Sequence, residues 1–493
     1  MRGDMAKRTR RPKVPRDGPK KKLKSSDSSQ LVVSAHPLGI KPLGNLWTSS
    51  HSKYSRETSL GSFAILTDEC LLDLLSYLDG RLAARLSCCS KYFYAFCACN
   101  EDLWREWTLR DYPDVVYRDS WKNTYRNQVV KKEMNMSNAV VRCDQVYSDI
   151  LYQSWCMMAC FSRYVGWWKR DNIQRYDAKD LDVDTFVQYF EQQSTPLVIR
   201  GIVTQWPAYR RWNRRYLRQR CGDEPFSVGP TTMTLSQYFH YMETQRDTNP
   251  LYLFEKRLSQ LPLADDYQVP KYFRDRDLFS WIEKHYHKRP DHAWLIHGPA
   301  RSGSRFHIDP NQTCAWNAVI RGRKKWVLFP PFPRPPPPGV FPNEDYSQVI
   351  SPASLMEWFT NFYEEAKNRK DRIECIVEAG ELLFIPRGWW HIVLNLEESI
   401  AITENYVSET NLSHVLEFLK SKPEQVSGWH DKEEDLYRLL VEVIQRERPS
   451  LLSTNTFCST CPPPENLSNN NNKKKTSHSS PFRFQFLAPS ATD

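Results

Sequence analysis

The stretch from Gly303 to Tyr406 constrains the fold of this 493-residue chain more than any other. Short β-branched and aromatic runs there alternate with glycine and proline turns. CAWNAVIRGRKKWVLFPP reads as strand, turn at Gly322, strand. VEAGELLFIPRGWW reads as a glycine turn, a buried strand from Leu382 to Ile385, and a bend at Pro386, Arg387 and Gly388. IVLNLEESIAITENY reads as two strand-like runs about a polar turn. Runs of this kind bounded by turn formers are strands. Strands in this rhythm close into a small antiparallel barrel.

Three polar residues stand at the ends of these runs: His307 and Asp309 in RSGSRFHIDP, and His391 in GWWH. Two imidazoles and one carboxylate cover one face of an octahedral, redox-active iron and leave the opposite face open. Structural zinc sites instead use four protein ligands. Residues two apart on a strand point the same way. His307 and Asp309 can therefore aim together while Ile308 faces away, and His391 must meet them from a distant strand. A lone His-x-Asp is common; the flanking strands give this one its weight.

At these residues the chain resembles a known family. From about Asp182 to Tyr406 it is similar to the JmjC domain, a double-stranded β-helix of the cupin type that uses Fe(II), 2-oxoglutarate and O2. HIDPNQTCAWNAVIRGRKKW and GWWHIVLNLEESIAITENY resemble most the branch of the animal jumonji protein once called the phosphatidylserine receptor, described as an arginine demethylase and lysyl hydroxylase. The resemblance implies that His307, Asp309 and His391 hold Fe(II). It implies that Lys324, helped by Thr403, pairs with the distal carboxylate of 2-oxoglutarate, and that Asn317 and Ser304 line the same pocket. Relatives usually carry Thr where this chain has Ser304; the hydroxyl is kept. In such enzymes oxygen and 2-oxoglutarate give succinate and carbon dioxide while a substrate C–H bond is hydroxylated. An N-methyl carbon then leaves as formaldehyde, whereas a chain carbon stays as an alcohol.

The residues also allow plainer readings. Lys324 is either the cation a dicarboxylate needs or a surface lysine in the run Arg321, Arg323, Lys324, Lys325. Strand alternation puts Lys324 with Trp326 and Leu328, opposite Arg323 and Lys325, so one face can point inward with a single lysine. Thr403 is either a ligand or strand filler. Asn317 is either a pocket residue or the partner of a buried backbone group.

Upstream, residues 61–108 form a second module. Leu71, Leu74, Leu75 and Leu78 fall on one helical face, Leu82 and Leu86 continue beyond Gly80, and Asp68 is placed to cap the first helix. Leu66, the CSKYF stretch (Cys89 to Phe93) and the closing Leu103-Trp104 resemble an F-box, which implies a Skp1-like adaptor and a cullin-type ubiquitin ligase as partners. Thr67 stands where F-boxes commonly have proline. The alternative is a helical bundle packed on the oxygenase, with Cys88, Cys89, Cys97 and Cys99 as core.

Residues 109–181 read as a helical spacer. Residues 182–410 read as the barrel, with its first strand in TPLVIRGI (Thr195 to Ile202). Tyr252 and Phe254 are either pocket wall or plain core. Pro335 to Pro338 make a stiff loop outside the barrel. Residues 411–448 are C-terminal helices carrying the stripe Leu436, Leu439, Leu440, Val443, Ile444. It faces the domain or a second subunit. Residues 449–493 read as a disordered tail.

Charge is concentrated rather than spread. The chain carries +10 overall, but residues 1–24 alone hold eleven Lys or Arg against two Asp. Residues 446–493 hold six against three, which leaves a body of about −2 that is no general nucleic-acid coat. Lys7 to Lys13 and Pro19 to Lys24 read as a nuclear-import address or a nucleic-acid-contacting arm, the alternative being a solvated tail. Residues 1–60 are expected to be disordered. No apolar run predicts a membrane span, and the N-terminus lacks a secretory pattern. Thirteen scattered cysteines fit a reducing compartment, and Cys458 with Cys461 lack a second pair at zinc spacing.

The expectation is a mainly β double-stranded β-helix with an N-terminal α-helical F-box module and flanking helices. Its expected activity is demethylation of methylated arginine on histones in the nucleus. The alternatives are a protein lysyl hydroxylase using the same site, or an F-box substrate adaptor.

Overall fold

A computed structural model describes residues 35–48, 55–98, 100–130, 141–159, 161–431 and 433–454. The basic clusters before residue 25, Cys99 and the Cys458/Cys461 pair lie outside the described residues.

Two facing sheets form the barrel. The larger runs, in spatial order, Gln174–Asp177, Leu197–Arg200, Leu382–Ile385, Cys314–Arg321, Ser399–Tyr406, Ala293–Gly298, Leu253–Glu255, Pro225–Val228 and Thr231–Thr234. The smaller runs Ile373–Glu378, Arg323–Phe329, Trp390–Asn395 and Gly303–His307. All these pairings are antiparallel except the outermost, Gln174–Asp177 against Leu197–Arg200. The strands thus begin before Thr195, and the expected helical spacer contributes an edge strand.

Alternation sorts each strand's side chains onto two faces. Between the sheets Ala315, Val319, Leu383 and Ile385 pack against Trp326, Leu328, Val377 and Val393. Trp316, Phe384 and Tyr406 turn outward, into an aromatic cluster with Phe186 and Phe273. The outer face of the small sheet is covered by Trp168, Trp358, Phe359 and Tyr363. The turn joining Cys314–Arg321 to Arg323–Phe329 needs glycine: Gly322 has φ +77°, and a Cβ there would run into the Glu398 carbonyl and Ser399.

The C-terminal stripe is buried in full on the domain itself, against Leu278, Phe279, Ile282, Val415 and Leu419. The helical module departs from expectation in several places. Thr67, not Asp68, caps the helix Asp68–Ser76, accepting from the Cys70 N–H at 3.3 Å. The Asp68 carboxylate instead pairs with Arg56 at 2.6 Å. Leu71 and Leu75 are buried, but Leu74 and Leu82 are exposed. A separate helix, Gly80–Ser87, starts at Asp79 and breaks the expected stripe. Cys97 is core; Cys88 and Cys89 sit in the turn after that helix and are exposed. The arm is also folded closer to its N-terminus than residue 61. Ile40, Arg56 and Leu60 are buried, and Lys41 bridges to Tyr147. No helix among the described residues is long and apolar enough to cross a membrane.

Candidate active site

His307 ends one strand of the small sheet and His391 lies directly opposite on its neighbour. Their ring centroids are 4.1 Å apart. Each ring is fixed by the backbone two residues before it: His307 Nδ1 donates to the Arg305 carbonyl at 2.7 Å and His391 Nδ1 to that of Trp389 at 3.0 Å. A carbonyl only accepts, so Nδ1 holds the proton and each Nε2 presents its lone pair. Both Nε2 atoms lie 4.0 Å from Asp309 Oδ1. The three ligand atoms fall within 4.8 Å of one another, the only such cluster among the described residues.

Asp309 sits just past the strand in extended backbone, φ −60° and ψ 141°. Its loop is held from outside. Asn311 and Gln312 adopt left-handed conformations, φ +55° and +57°. The Asn311 amide meets the Ser427 carbonyl and N–H at 2.8 and 2.9 Å, and Asn411 donates to the Gln312 carbonyl at 2.9 Å. Burial raises the Asp309 pKa, opposed by His307 and by a hydrogen bond from Asn405. Burial, with His307 beside it, drives His391 well below its ordinary value. Two imidazoles and a buried carboxylate make a donor set that fits a divalent transition metal.

Ser304 reaches the same face by an irregularity. Register pairs His391 with His307 but Val393 with Ser304, so one strand advances three residues while its partner advances two. Such a bulge lets residues of opposite parity share a face.

Lys324 is fully buried on the inner face, opposite Asn395 and Val377. Its Nζ donates to the Tyr252 hydroxyl at 2.9 Å and lies 5.3 Å from that ring's centroid. No ion pair engages it among the described residues, and burial pushes its pKa down to about 7. The surface-lysine reading is therefore wrong. Its neighbour is not solvated either: Lys325, on the opposite face, is buried 2.7 Å from Glu374, which also pairs with Arg372 at 2.7 Å. Asn317 faces Thr403 across the strands, and its Oδ1 is buried without a partner. Thr403 lines this face with its proton already donated to the Trp316 carbonyl at 2.9 Å.

Sequence reading missed three groups here: the Tyr252 phenol as a partner of Lys324, Asn395, whose Oδ1 is also buried and unpaired, and Asn405. Counting by twos from His391 reaches Asn395, and from Thr403 reaches Asn405. Phe254 is 42% exposed and lies 5.6 Å, centroid to centroid, from Trp294, which stands opposite Thr403.

Residues 183–411 match the model of the Cupin-like domain family. The chain is 43% identical to an arginine-specific demethylase, JMJ22, of Arabidopsis thaliana, over 86% of this chain and 84% of that one. It is 34% identical to a lysine-specific demethylase, JMJ21, of the same plant, over 73% of this chain but 38% of the relative. It is 34% identical to psr-1 of Caenorhabditis elegans, a bifunctional arginine demethylase and lysyl-hydroxylase, over 59% of this chain and 73% of that one. A human match at 30% identity is named as a 2-oxoglutarate and iron-dependent oxygenase.

Proposed function

This chain belongs to the Cupin-like family of JmjC oxygenases, and from that premise we propose that it demethylates methylated arginine on histones in the nucleus, using iron and 2-oxoglutarate. The observation that carries the reading is the convergence of His307, Asp309 and His391 beside a buried lysine that lacks an anion. When bound, iron, 2-oxoglutarate and oxygen together supply hydroxylation of a C–H bond.

The protein's own residues do the positioning. Nε2 of His307 and His391 and the Asp309 carboxylate hold the metal, with the imidazoles locked by the Arg305 and Trp389 carbonyls. Lys324 takes the distal carboxylate of 2-oxoglutarate, which relieves its unpaired burial. Asn317 and Ser304 line the same pocket, and Thr403 helps Lys324 by turning its hydroxyl proton from the Trp316 carbonyl to the cosubstrate carboxylate. Phe254 and Trp294 wall the inner face beside Thr403; an aromatic pair there suits a planar cationic side chain.

Incubation with methyl-arginine, methyl-lysine and unmodified peptides tests the reading. A loss of about 14 Da per methyl with formaldehyde release is expected on methyl-arginine. A gain of about 16 Da on an unmodified lysine identifies lysyl hydroxylation instead.

For partners, we read the helical module (61–108) as an adaptor surface and the N-terminal arm as an import address that also touches nucleic acid. Ile65 and Tyr77 are 88% and 79% exposed, apolar side chains left uncovered by the described residues, which fits a Skp1-like protein. Ile65→Asp with Tyr77→Ala should abolish capture of such an adaptor; capture that survives removes this assignment.

A further inference from the structure

The helical module touches the oxygenase at a point with consequences for the pocket. Helix Glu101–Asp111 carries Arg105, and helix Trp121–Val130 begins with Trp121. Both side chains converge on Asp247, in the loop that follows helix Leu235–Thr244. Arg105 Nη1 reaches Asp247 Oδ2 at 2.8 Å, Trp121 Nε1 reaches it at 3.1 Å, and the Tyr241 hydroxyl at 2.6 Å. Asp247 is completely buried. The same Arg105 nitrogen also donates to the Asn249 carbonyl at 2.9 Å.

Two chain segments leave this knot; one ends at Lys324 and the other at Asn395, the register partner of Lys324. Along the first, Leu251 N–H donates to the Tyr241 hydroxyl at 2.7 Å, and the next residue, Tyr252, holds the Lys324 ammonium. Along the second, Arg301 Nη1 donates to the Asp247 carbonyl at 2.7 Å, while the Arg301 N–H binds the Asn395 carbonyl at 2.9 Å. Ser302 then accepts the Asn395 amide at 2.9 Å, directly across from Lys324. Gly298 closes the set. A Cβ there would meet Tyr252 Cδ2 at 2.6 Å, Asn395 Nδ2 at 3.0 Å and the Ser302 hydroxyl. The surroundings of Lys324 therefore include two segments whose common anchor is Asp247, paired with Arg105 of the helical module.

We infer that Arg105 is a positioning residue for the cosubstrate pocket: through Asp247 it fixes the loops that carry Tyr252 and Ser302 around Lys324. The inference rests on the functional reading above and assigns the helical module a part in 2-oxoglutarate binding. The physical reason is asymmetry of burial. Removing Arg105 leaves Asp247 as an uncompensated buried charge. The loop lowers that cost by moving toward water, and Tyr252 moves with it.

The test uses the full chain, loaded with Mn(II) for 2-oxoglutarate affinity read by calorimetry and with Fe(II) for KM and kcat of succinate formation. Arg105→Ala should weaken 2-oxoglutarate about tenfold, in affinity and KM alike, with Mn(II) affinity and kcat nearly unchanged. Arg105→Lys should recover part of the loss. Arg110→Ala is the control: Arg110 lies on the same helix, and among the described residues its hydrogen bonds stay within the module, to Asp111 and the carbonyls of Ser76 and Leu78. It should leave 2-oxoglutarate binding unaltered. Unchanged binding in Arg105→Ala, or an equal loss in Arg110→Ala, overturns the inference. If Arg105→Ala does not fold, Asp247→Asn carries the same test, and intact 2-oxoglutarate affinity in it overturns the inference equally. Wild-type protein that does not bind 2-oxoglutarate at all overturns the functional reading instead, and with it this inference.

Discussion

The Lys324 ammonium lies 2.9 Å from the Tyr252 hydroxyl, in a place where a carboxylate would be the expected partner. A buried cation held by a phenol alone is poorly compensated. That one contact gives the empty pocket and the loaded pocket opposite demands, which can be measured.

Lys324→Met should leave the cosubstrate-free protein as stable as wild type or more so, by up to about 2 kcal/mol, because an apolar side chain replaces an unpaired buried charge. The same change should weaken 2-oxoglutarate at least about tenfold by removing a charged hydrogen-bond donor. Denaturant melts and calorimetry decide it. A destabilised variant that still binds 2-oxoglutarate refutes the role of Lys324.

The pH dependence has two parts with opposite signs. Burial holds Lys324 near 7 against an ordinary 10.5, so the unfolded chain binds the extra proton between those values. Stability of the cosubstrate-free protein should therefore gain from this residue as pH rises through that window, because the unfolded state binds more protons there. Affinity for 2-oxoglutarate should fall over the same range, since the dicarboxylate needs the ammonium. Titrations at several pH values compared with Lys324→Met isolate both effects; identical profiles would remove Lys324 as their source.

His307→Ala and Asp309→Ala should each abolish succinate formation while the chain stays folded. Mn(II) at about a hundred times its Kd should stabilise wild type by about 2.7 kcal/mol and these variants hardly at all. An Asp309→Ala protein with an undiminished metal-dependent rise in Tm would place the metal elsewhere.

Gly298→Ala should impair 2-oxoglutarate binding without touching the metal. Its Cβ would press on Tyr252, Asn395 and Ser302, all at the Lys324 end of the barrel. The metal-dependent shift in Tm is the internal control: if it is lost together with 2-oxoglutarate affinity, the site is coupled along its whole length.

Local chemistry made much of this legible in advance. Gly322, Gly388 and the β-branched runs between them mark the strands from Cys314 to Tyr406, because turn formers and pleated-sheet residues signal their positions one by one. Alternation identified the inner face of Arg323–Phe329. It would have misassigned Ser304, because the bulge between His391 and Val393 resets the parity that counting assumes. The leucine pattern of residues 71 to 86 foretold helices, yet Leu74 and Leu82 lie outside, since an amphipathic period cannot say which neighbour covers a face.

By itself, then, the sequence carried the strand rhythm and, through spacing of two, the shared aim of His307 and Asp309, while His391 and Lys324 became candidates through the family resemblance of the strands around them. Tertiary structure alone decided the rest. The Nε2 atoms face Asp309 because the Arg305 and Trp389 carbonyls turn the rings. Lys324 lies beside Tyr252, 72 positions away, because two sheets close over each other. Arg105 governs that corner only because Asp247 is buried 142 positions further along the chain. Contacts across such separations depend on packing, which no short window of residues encodes.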